Sequence, residues 1–191
     1  MRREAVGLNR QSEAVLEAAF EHLYNAMVIT DADFGGGPYI QRCNPAFCAM
    51  TGYTEEELIG QSPRILQGPD TDRKVIDQLT RKIRAGEFFE GSTINYRKDG
   101  LSYVVQWNIS AVRDADGAIV GYISIQQDIT ARFAAERERS LLAEALNAAT
   151  SALAAAKTAE AADYAPAALA AAETASAALQ AELKAQAEKF S

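Results

Sequence analysis

The chain has 191 residues, enough for one packed core with additional elements or for two small domains. Its content of 48% hydrophobic and 24% charged residues is ordinary for a globular protein. Its net charge of −7 argues against nucleic-acid binding as the main function, because phosphate binding requires a basic patch. The N-terminus lacks a signal-peptide pattern, and no apolar run approaches the ~20 residues that span a bilayer. These observations predict a cytoplasmic protein without a membrane partner.

Three regions differ in composition. Residues 1–24 are polar and predict an N-terminal amphipathic helix, with Asn9 or Ser12 as its cap and with apolar residues at helical spacing, namely Val15, Ala18, Ala19 and Leu23. Residues 25–130 contain eleven of the twelve glycines and mix strands with short helices. Residues 131–191 contain no glycine, and 26 of these 61 residues are alanine, so we expect them to be almost entirely helical.

The middle region predicts two strands, a helical block and three further strands. The strands are expected at 26–31, 39–44, 88–100, 101–117 and 118–130, and the helices at 44–53, 54–60 and 70–86. Asn44 is the expected cap of the first of these helices, and Thr54 with Glu57 has the spacing of a capping box. This order indicates an α+β fold with helices on one face of an antiparallel sheet, which leaves a cavity where a flat ligand can bind.

Few residues are available for a metal site. The chain has two cysteines, Cys43 and Cys48, and one histidine, His22, which is too few for a typical four-ligand zinc site. We expect both cysteines to be reduced thiols of the core. We find no nucleophile–base set, and we expect a protein that is not an enzyme.

Five motifs of the middle region occur in a family-specific order. They read NPAF at 44–47, TGYTEEELIG at 51–60, NYRKDG at 95–100, VRDADG at 112–117 and QDIT at 127–130. Over residues 24–132 the sequence therefore resembles a PAS domain, a sensory and dimerisation module. The resemblance implies a five-stranded antiparallel sheet whose last strand leads into an outgoing signal helix.

The segment LQGPDTD at 66–72 resembles the flavin-binding LOV branch of the family. In LOV domains blue light joins a cysteine thiol to the flavin ring. The matching position here is Pro63, which offers no nucleophile, so that reaction is excluded at this position.

The residues are compatible with flavin binding without the thiol bond and do not decide whether it occurs. The resemblance assigns the cofactor FMN, or FAD, to contacts with Arg64, Leu66, Gln67, Ile83, Asn95, Trp107 and Gln126. It places Arg64 at the phosphate, Gln67 at the ribityl chain, and Asn95 and Gln126 at the ring. Four positions depart from the LOV pattern, since Ser62 and Val105 replace asparagines, Thr80 replaces an arginine and Ser124 replaces a glycine. Asn108 does not substitute for the lost asparagine, because its odd offset from residue 105 directs it to the opposite sheet face.

Alternatives to a flavin are another small ligand or a filled core without a cofactor. Trp107 and Tyr122 have rings large enough to fill such a core, and with a flavin present the same rings are candidate electron donors. The second interpretation is accordingly that the protein is a cofactor-free PAS dimerisation or protein-interaction module.

The C-terminal region predicts two helices interrupted near Pro166. Apolar and small residues repeat at heptad spacing in both, at 142, 146, 149, 153 and 156 and at 169, 172, 176, 179, 183, 186 and 190. The helices either fold back as an intramolecular hairpin over the sheet or form a homodimer together with the N-terminal helix. The chain has no histidine after His22 that a histidine kinase would need as phosphoacceptor. The sequence thus predicts a stand-alone sensory protein that signals through its flanking helices to an unknown protein partner.

Overall fold

A computed structural model describes residues 10–158 and 166–189. The chain divides into two compact units, Met1–Thr130 and Ala131–Ser191. The elements of the first unit are α1 (Arg10–His22), β1 (Ala26–Thr30), β2 (Ile40–Cys43), α2 (Pro45–Thr51), α3 (Glu55–Leu58), a 3-10 helix (Pro63–Leu66), α4 (Arg73–Arg84), β3 (Phe89–Tyr96), β4 (Ser102–Arg113) and β5 (Ile119–Asp128). They are followed by α5 (Thr130–Thr158) and α6 (Pro166–Lys189).

The five strands form one antiparallel sheet in the order β2-β1-β5-β4-β3. This confirms the predicted α+β fold. Side chains alternate across the sheet, so that Val105 and Trp107 of β4 are buried while Asn108 is exposed on the other face. Trp107 pairs with Gln126 of β5, and this register brings the polar and aromatic positions of the inner face next to each other.

Local capping signals define the short helices between β2 and β3. Thr54 and Glu57 form the predicted capping box of α3, and Asn44 caps α2 by accepting a hydrogen bond from Phe47 N. The helix α4 ends before Gly86, whose φ of 70° is a conformation that favours glycine. These caps fix the ends of α2, α3 and α4, which run over the inner face of the sheet.

Asn44 also joins α1 to the sheet. Its side chain is fully buried; Oδ1 accepts from Met27 N at 2.8 Å, and Nδ2 donates to the carbonyls of Phe20 at 3.3 Å and Asn25 at 3.0 Å. One asparagine therefore satisfies backbone groups from the end of α1, the start of β1 and the start of α2. We call Asn44 and these backbone partners the Asn44 hub.

The buried side of α1 differs from the one that the sequence indicates. The apolar stripe of the prediction is exposed, with Val15 at 63%, whereas Phe20 is 8% exposed. The guanidinium of Arg42 lies over the Phe20 ring at 4.5 Å and also bonds Glu17 at 2.6 Å, so α1 packs through this contact. Ser12 lies inside α1 and does not cap it, and Asn9 lies outside the described residues.

Helices α5 and α6 make up the described part of the second unit. In α5 the heptad positions Leu142, Leu146 and Leu153 are half-buried, while most of their neighbours are exposed. In α6 Ser176 is buried at 6% exposure. The predicted interruption at 163–165 and the heptad position 190 lie outside the described residues. None of the described helices is long and apolar enough to cross a membrane.

Candidate functional site

A cavity lies between the inner face of the sheet and the segment from the 3-10 helix to α4. The cavity has a volume of about 110 Å³. This is smaller than the roughly 300–1,000 Å³ of typical small-molecule sites. All seven residues that the LOV resemblance assigns to a cofactor line it, namely Arg64, Leu66, Gln67, Ile83, Asn95, Trp107 and Gln126. The fold thus brings together residues that are up to 62 positions apart in the sequence, since they run from 64 to 126.

Gln126 is the main polar group on the sheet side of the cavity. It is 7% exposed, and its Nε2 donates to Ser124 Oγ at 3.2 Å. Its Oε1 is buried and has no hydrogen-bond partner among the described residues. A buried amide oxygen without a partner costs about 1–3 kcal/mol of stability. This cost is removed when a ligand donates a hydrogen bond to Oε1 or when the side chain changes its rotamer.

Asn95 lies opposite Tyr103 in the β3–β4 ladder. Both are buried, and the Tyr103 hydroxyl has no hydrogen-bond partner among the described residues. Burial raises the pKa of Tyr103 to about 12, while the neighbouring Asn95 amide and Arg97 guanidinium offset only part of this rise. Tyr103 therefore stays neutral behind Asn95 at physiological pH.

The mouth of the cavity carries positive charge on one side. Arg64 is exposed and forms no salt bridge with any carboxylate in the described ranges. Gln67 is oriented by Arg73, whose Nη1 donates to Gln67 Oε1 at 3.1 Å. Thr80 lines the cavity, but its hydroxyl donates to the Ile76 carbonyl at 2.9 Å within α4 and supplies no charge.

Aromatic and aliphatic side chains form the rest of the wall. The Tyr122 hydroxyl donates to the Ile83 carbonyl at 2.9 Å, which joins β5 to the end of α4. The Tyr122 ring meets Phe34 edge-on at 5.8 Å, and Arg84 lies over Phe34 at 4.6 Å. Phe34 lies in the connection between β1 and β2, where no periodic pattern in the sequence marks a residue that folds over a cavity.

The positions that depart from the LOV pattern have definite places. Pro63 and Ser62 line the cavity, and Ser62 caps the 3-10 helix by accepting from Arg64 N. Val105 is fully buried, and it packs in one cluster with Tyr103 and Trp107. A polar contact of the LOV pattern is thus replaced by apolar packing on this part of the inner face.

Neither cysteine lies on the wall of the cavity as the described residues form it. Cys43 ends β2 and Cys48 lies in α2, and their sulfur atoms are 3.7 Å apart. Both are free thiols, and no group of three or more His, Cys, Asp or Glu in the described residues is arranged to hold a metal ion.

The family model for the PAS domain matches residues 25–131. This chain belongs to the PAS domain family. The PAS region is 32% identical over 115 residues to phototropin-2 of Oryza sativa subsp. japonica. The alignment covers 60% of this chain and 13% of the phototropin. It is 30% identical over 133 residues to the nitrogen fixation regulatory protein of Klebsiella oxytoca. That alignment covers 70% of this chain and 26% of the Klebsiella protein.

A solved light-oxygen-voltage domain, studied with a flavin analogue, has the same fold. It superposes with a TM-score of 0.56 and 29% identity over 71% of this PAS chain and 96% of that one. The fold is therefore LOV-like, and the chain is related to blue-light photoreceptors and signalling proteins. This PAS chain spans less than a third of the length of the two curated relatives.

Proposed function

We propose that this PAS chain is a sensor that holds a flavin, FMN or FAD, in the cavity and acts without a cysteine–flavin bond. The observation that carries the proposal is that the seven assigned residues line one cavity. Among them is Gln126, whose buried Oε1 has no hydrogen-bond partner in the described part of the chain. When bound, a flavin supplies a ring that absorbs blue light and accepts electrons. The donors on the wall suit the edge of such a ring, and the aromatic and aliphatic residues suit its faces.

Each polar residue has one role in this proposal. Arg64 binds the phosphate, because its exposed guanidinium forms no salt bridge within the described residues and can make charge-assisted hydrogen bonds. Gln67, held by Arg73, contacts the ribityl chain. Asn95 and Gln126 bind the polar ring edge, while Trp107 packs against the ring.

The role we propose is sensory and not enzymatic. Pro63 excludes the thiol bond at the motif position, since proline has no nucleophilic side chain. Trp107 and Tyr122 are the oxidisable aromatic side chains on the wall, which makes them the candidate electron donors. Gln126 connects the cavity to β5, the strand that leads directly into α5.

Absorption spectroscopy of the purified full-length protein tests the flavin. We expect a yellow protein with a structured absorption band in the blue that comes from a bound flavin. Chromatography of the released cofactor then distinguishes FMN from FAD. A colourless protein that also fails to take up either flavin contradicts the proposal. That result would favour the cofactor-free module, for which the apolar packing of Val105 against Trp107 and Tyr103 is the supporting observation.

We also propose that the protein signals as a homodimer through its flanking helices to a protein partner. Apolar side chains are exposed on α1, with Val15 at 63% and Leu16 at 56%, and on α5, with Phe133 at 48% and Leu141 at 58%. Exposed apolar groups on helices favour association with a second copy. A fold-back of the C-terminal helices over the sheet is the alternative.

Light scattering of the full chain tests the homodimer. We expect a dimer for the natural sequence. The double variant Val15→Glu/Leu16→Glu and the single variant Phe133→Glu should each be monomeric, because burying a charge in an apolar interface costs free energy. Gln11→Glu, at an exposed position of α1, is the control and should remain dimeric. A monomer for the natural sequence contradicts the proposal. The cytoplasmic location stays a prediction.

A further inference from the structure

Cys43 and Cys48 form a thiol pair at the junction of β2 and α2. Their sulfur atoms are 3.7 Å apart, where a disulfide needs about 2.05 Å. Asn44 caps α2, so Cys43 directly precedes the cap and Cys48 lies four residues after it. Two apolar side chains commonly close the start of a helix at these positions. Here the closing pair consists of two groups that can be joined covalently.

We propose that this pair is a redox-active dithiol that hydroperoxides oxidise to an intramolecular disulfide, and that the new bond braces the Asn44 hub. The inference does not rest on the proposed flavin, because neither thiol lines the cavity. It concerns the attachment of α1, which Asn44 holds through the carbonyls of Phe20 and Asn25.

The different exposure of the two thiols sets the order of the steps. Cys48 is partly exposed and meets the oxidant first, whereas Cys43 is 2% exposed. Cys48 loses its thiol proton, and the thiolate attacks hydrogen peroxide so that the O–O bond breaks and a sulfenic acid forms. The leaving hydroxide takes up a proton in place of the one that the thiol released and becomes the first water. The Cys43 sulfur then attacks the Cys48 sulfur, the S–O bond breaks, and a second water leaves as the S–S bond forms. In total two thiols lose two hydrogens and one peroxide becomes two waters.

The surroundings make this a slow response. Burial raises the pKa of the Cys48 thiol and raises that of Cys43 to about 12. The carboxylates of Glu21 on α1 and of Glu55 and Glu56 on α3 face the pair and disfavour a thiolate further. Because the thiolate is the nucleophile, oxidation is slow near neutral pH and accelerates as the pH rises. The pair thus responds to sustained peroxide and not to traces of it.

The disulfide closes a short ring around the cap of α2. Asn44 lies inside that ring, and its Oδ1 binds Met27 N at 2.8 Å and Phe47 N at 3.0 Å. Fixing both sides of Asn44 therefore restrains the start of β1 and the end of α1 together. Cys43 also pairs with Val28 of β1 in the sheet, and Val28 lines the cavity. The disulfide would therefore form next to the candidate site.

Mass spectrometry of the full-length protein under peroxide tests the chemistry. We expect loss of two hydrogen atoms per chain, disappearance of both free thiols together, and full reversal by a thiol reductant. The Cys43→Ser variant should stop at a sulfenic acid on Cys48, trapped by a dimedone adduct, because no resolving thiol remains. Separate oxidation of the two cysteines in the natural sequence, disulfides between chains, or no reaction at alkaline pH would each overturn the proposal.

Hydrogen exchange tests the structural consequence on the natural sequence alone. The amides of Met27 and Phe47, both bonded to Asn44 Oδ1, should exchange about fivefold more slowly after oxidation, because opening of the hub is restrained. The amide of Glu57, bonded to the Thr54 hydroxyl of the separate α3 capping box, is the internal control and should not change. Equal rates at Met27 before and after disulfide formation would show that the bond does not brace the hub.

Discussion

Gln126 donates a hydrogen bond from its Nε2 to Ser124 Oγ at 3.2 Å, while its Oε1 has no partner among the described residues. The two residues lie two positions apart on β5, on the same face of the sheet, and both line the cavity. In the LOV pattern the position of Ser124 is glycine, which has no hydroxyl to accept this bond. The serine therefore fixes one end of the Gln126 amide and leaves the other end available to a ligand.

Replacing Gln126 by leucine should alter the response of the protein while flavin binding is largely kept. One neutral hydrogen bond contributes about 1 kcal/mol, so the dissociation constant should rise by roughly fivefold. The visible band should shift, and the light- or redox-induced change in hydrogen exchange of α5 should be lost. Gln127→Leu changes the next residue, which is exposed and bonds Asn25, and it is the matched control. An unchanged response in Gln126→Leu would remove this residue from the signal path.

Val105→Asn restores the second ring-edge asparagine of the LOV pattern. Val105 is fully buried, so an unpaired amide there should lower the free energy of unfolding of the flavin-free protein by about 1–3 kcal/mol. The same amide should tighten flavin binding, because the ligand then pairs it. Thermal unfolding with and without excess FMN measures both effects, and the stabilisation by FMN should be larger in the variant. A variant that is destabilised equally in both conditions would show that residue 105 does not face the ring.

The phosphate end of the cavity can be tested with two ligands that differ only in the phosphate. Thr80→Arg adds a cation where the LOV pattern has one, and charge-assisted hydrogen bonds contribute about 1.5–3 kcal/mol. We expect FMN affinity to rise by roughly tenfold or more and riboflavin affinity to stay the same. Gln78→Arg, at an exposed position of α4, is the control for added charge.

Arg64→Gln should have the opposite effect on FMN. Without the guanidinium the dissociation constant for FMN should rise by about tenfold, while that for riboflavin, which has no phosphate, should change little. Isothermal titration with both ligands measures the difference. If Arg64→Gln weakens both ligands equally, then Arg64 acts on the shape of the 3-10 helix and not on a phosphate.

The elements that the sequence predicts best are those set by local signals. Asn44 and the Thr54–Glu57 pair cap the helices where their spacing indicates, because capping depends on residues within one turn. The inner-face positions Asn95, Trp107 and Gln126 also follow from strand alternation, since one register fixes the whole face.

Contacts between residues that are far apart in the sequence cannot be predicted from such local signals. Phe20, and not the apolar stripe with Val15, is the buried residue of α1, because Arg42 from β2 covers its ring. Phe34 lies on the cavity wall because its loop folds back towards Tyr122, which no local pattern indicates. The thiol pair was visible only as two cysteines five residues apart, and the 3.7 Å contact depends on how β2 meets α2.

Tyr103→Phe should change the stability of the protein at alkaline pH. Burial raises the pKa of Tyr103 from 10.0 to about 12, so the stability that its neutral form contributes is complete below pH 10. As the pH rises from 10 through 12, the unfolded chain releases this proton first, and up to about 2.7 kcal/mol is lost for a shift of about two units. Phenylalanine does not ionise, so the variant should keep this stability.

Urea unfolding at pH 7 and near pH 11 measures the effect. At pH 7 the Tyr103→Phe variant should be about as stable as the natural protein, because the buried hydroxyl that it removes has no hydrogen-bond partner within residues 10–158 and 166–189. Near pH 11 it should be the more stable of the two. Tyr24→Phe, at a residue that is 96% exposed, should show no such crossover. Parallel loss of stability in Tyr103→Phe and the natural protein would mean that a different group governs alkaline unfolding.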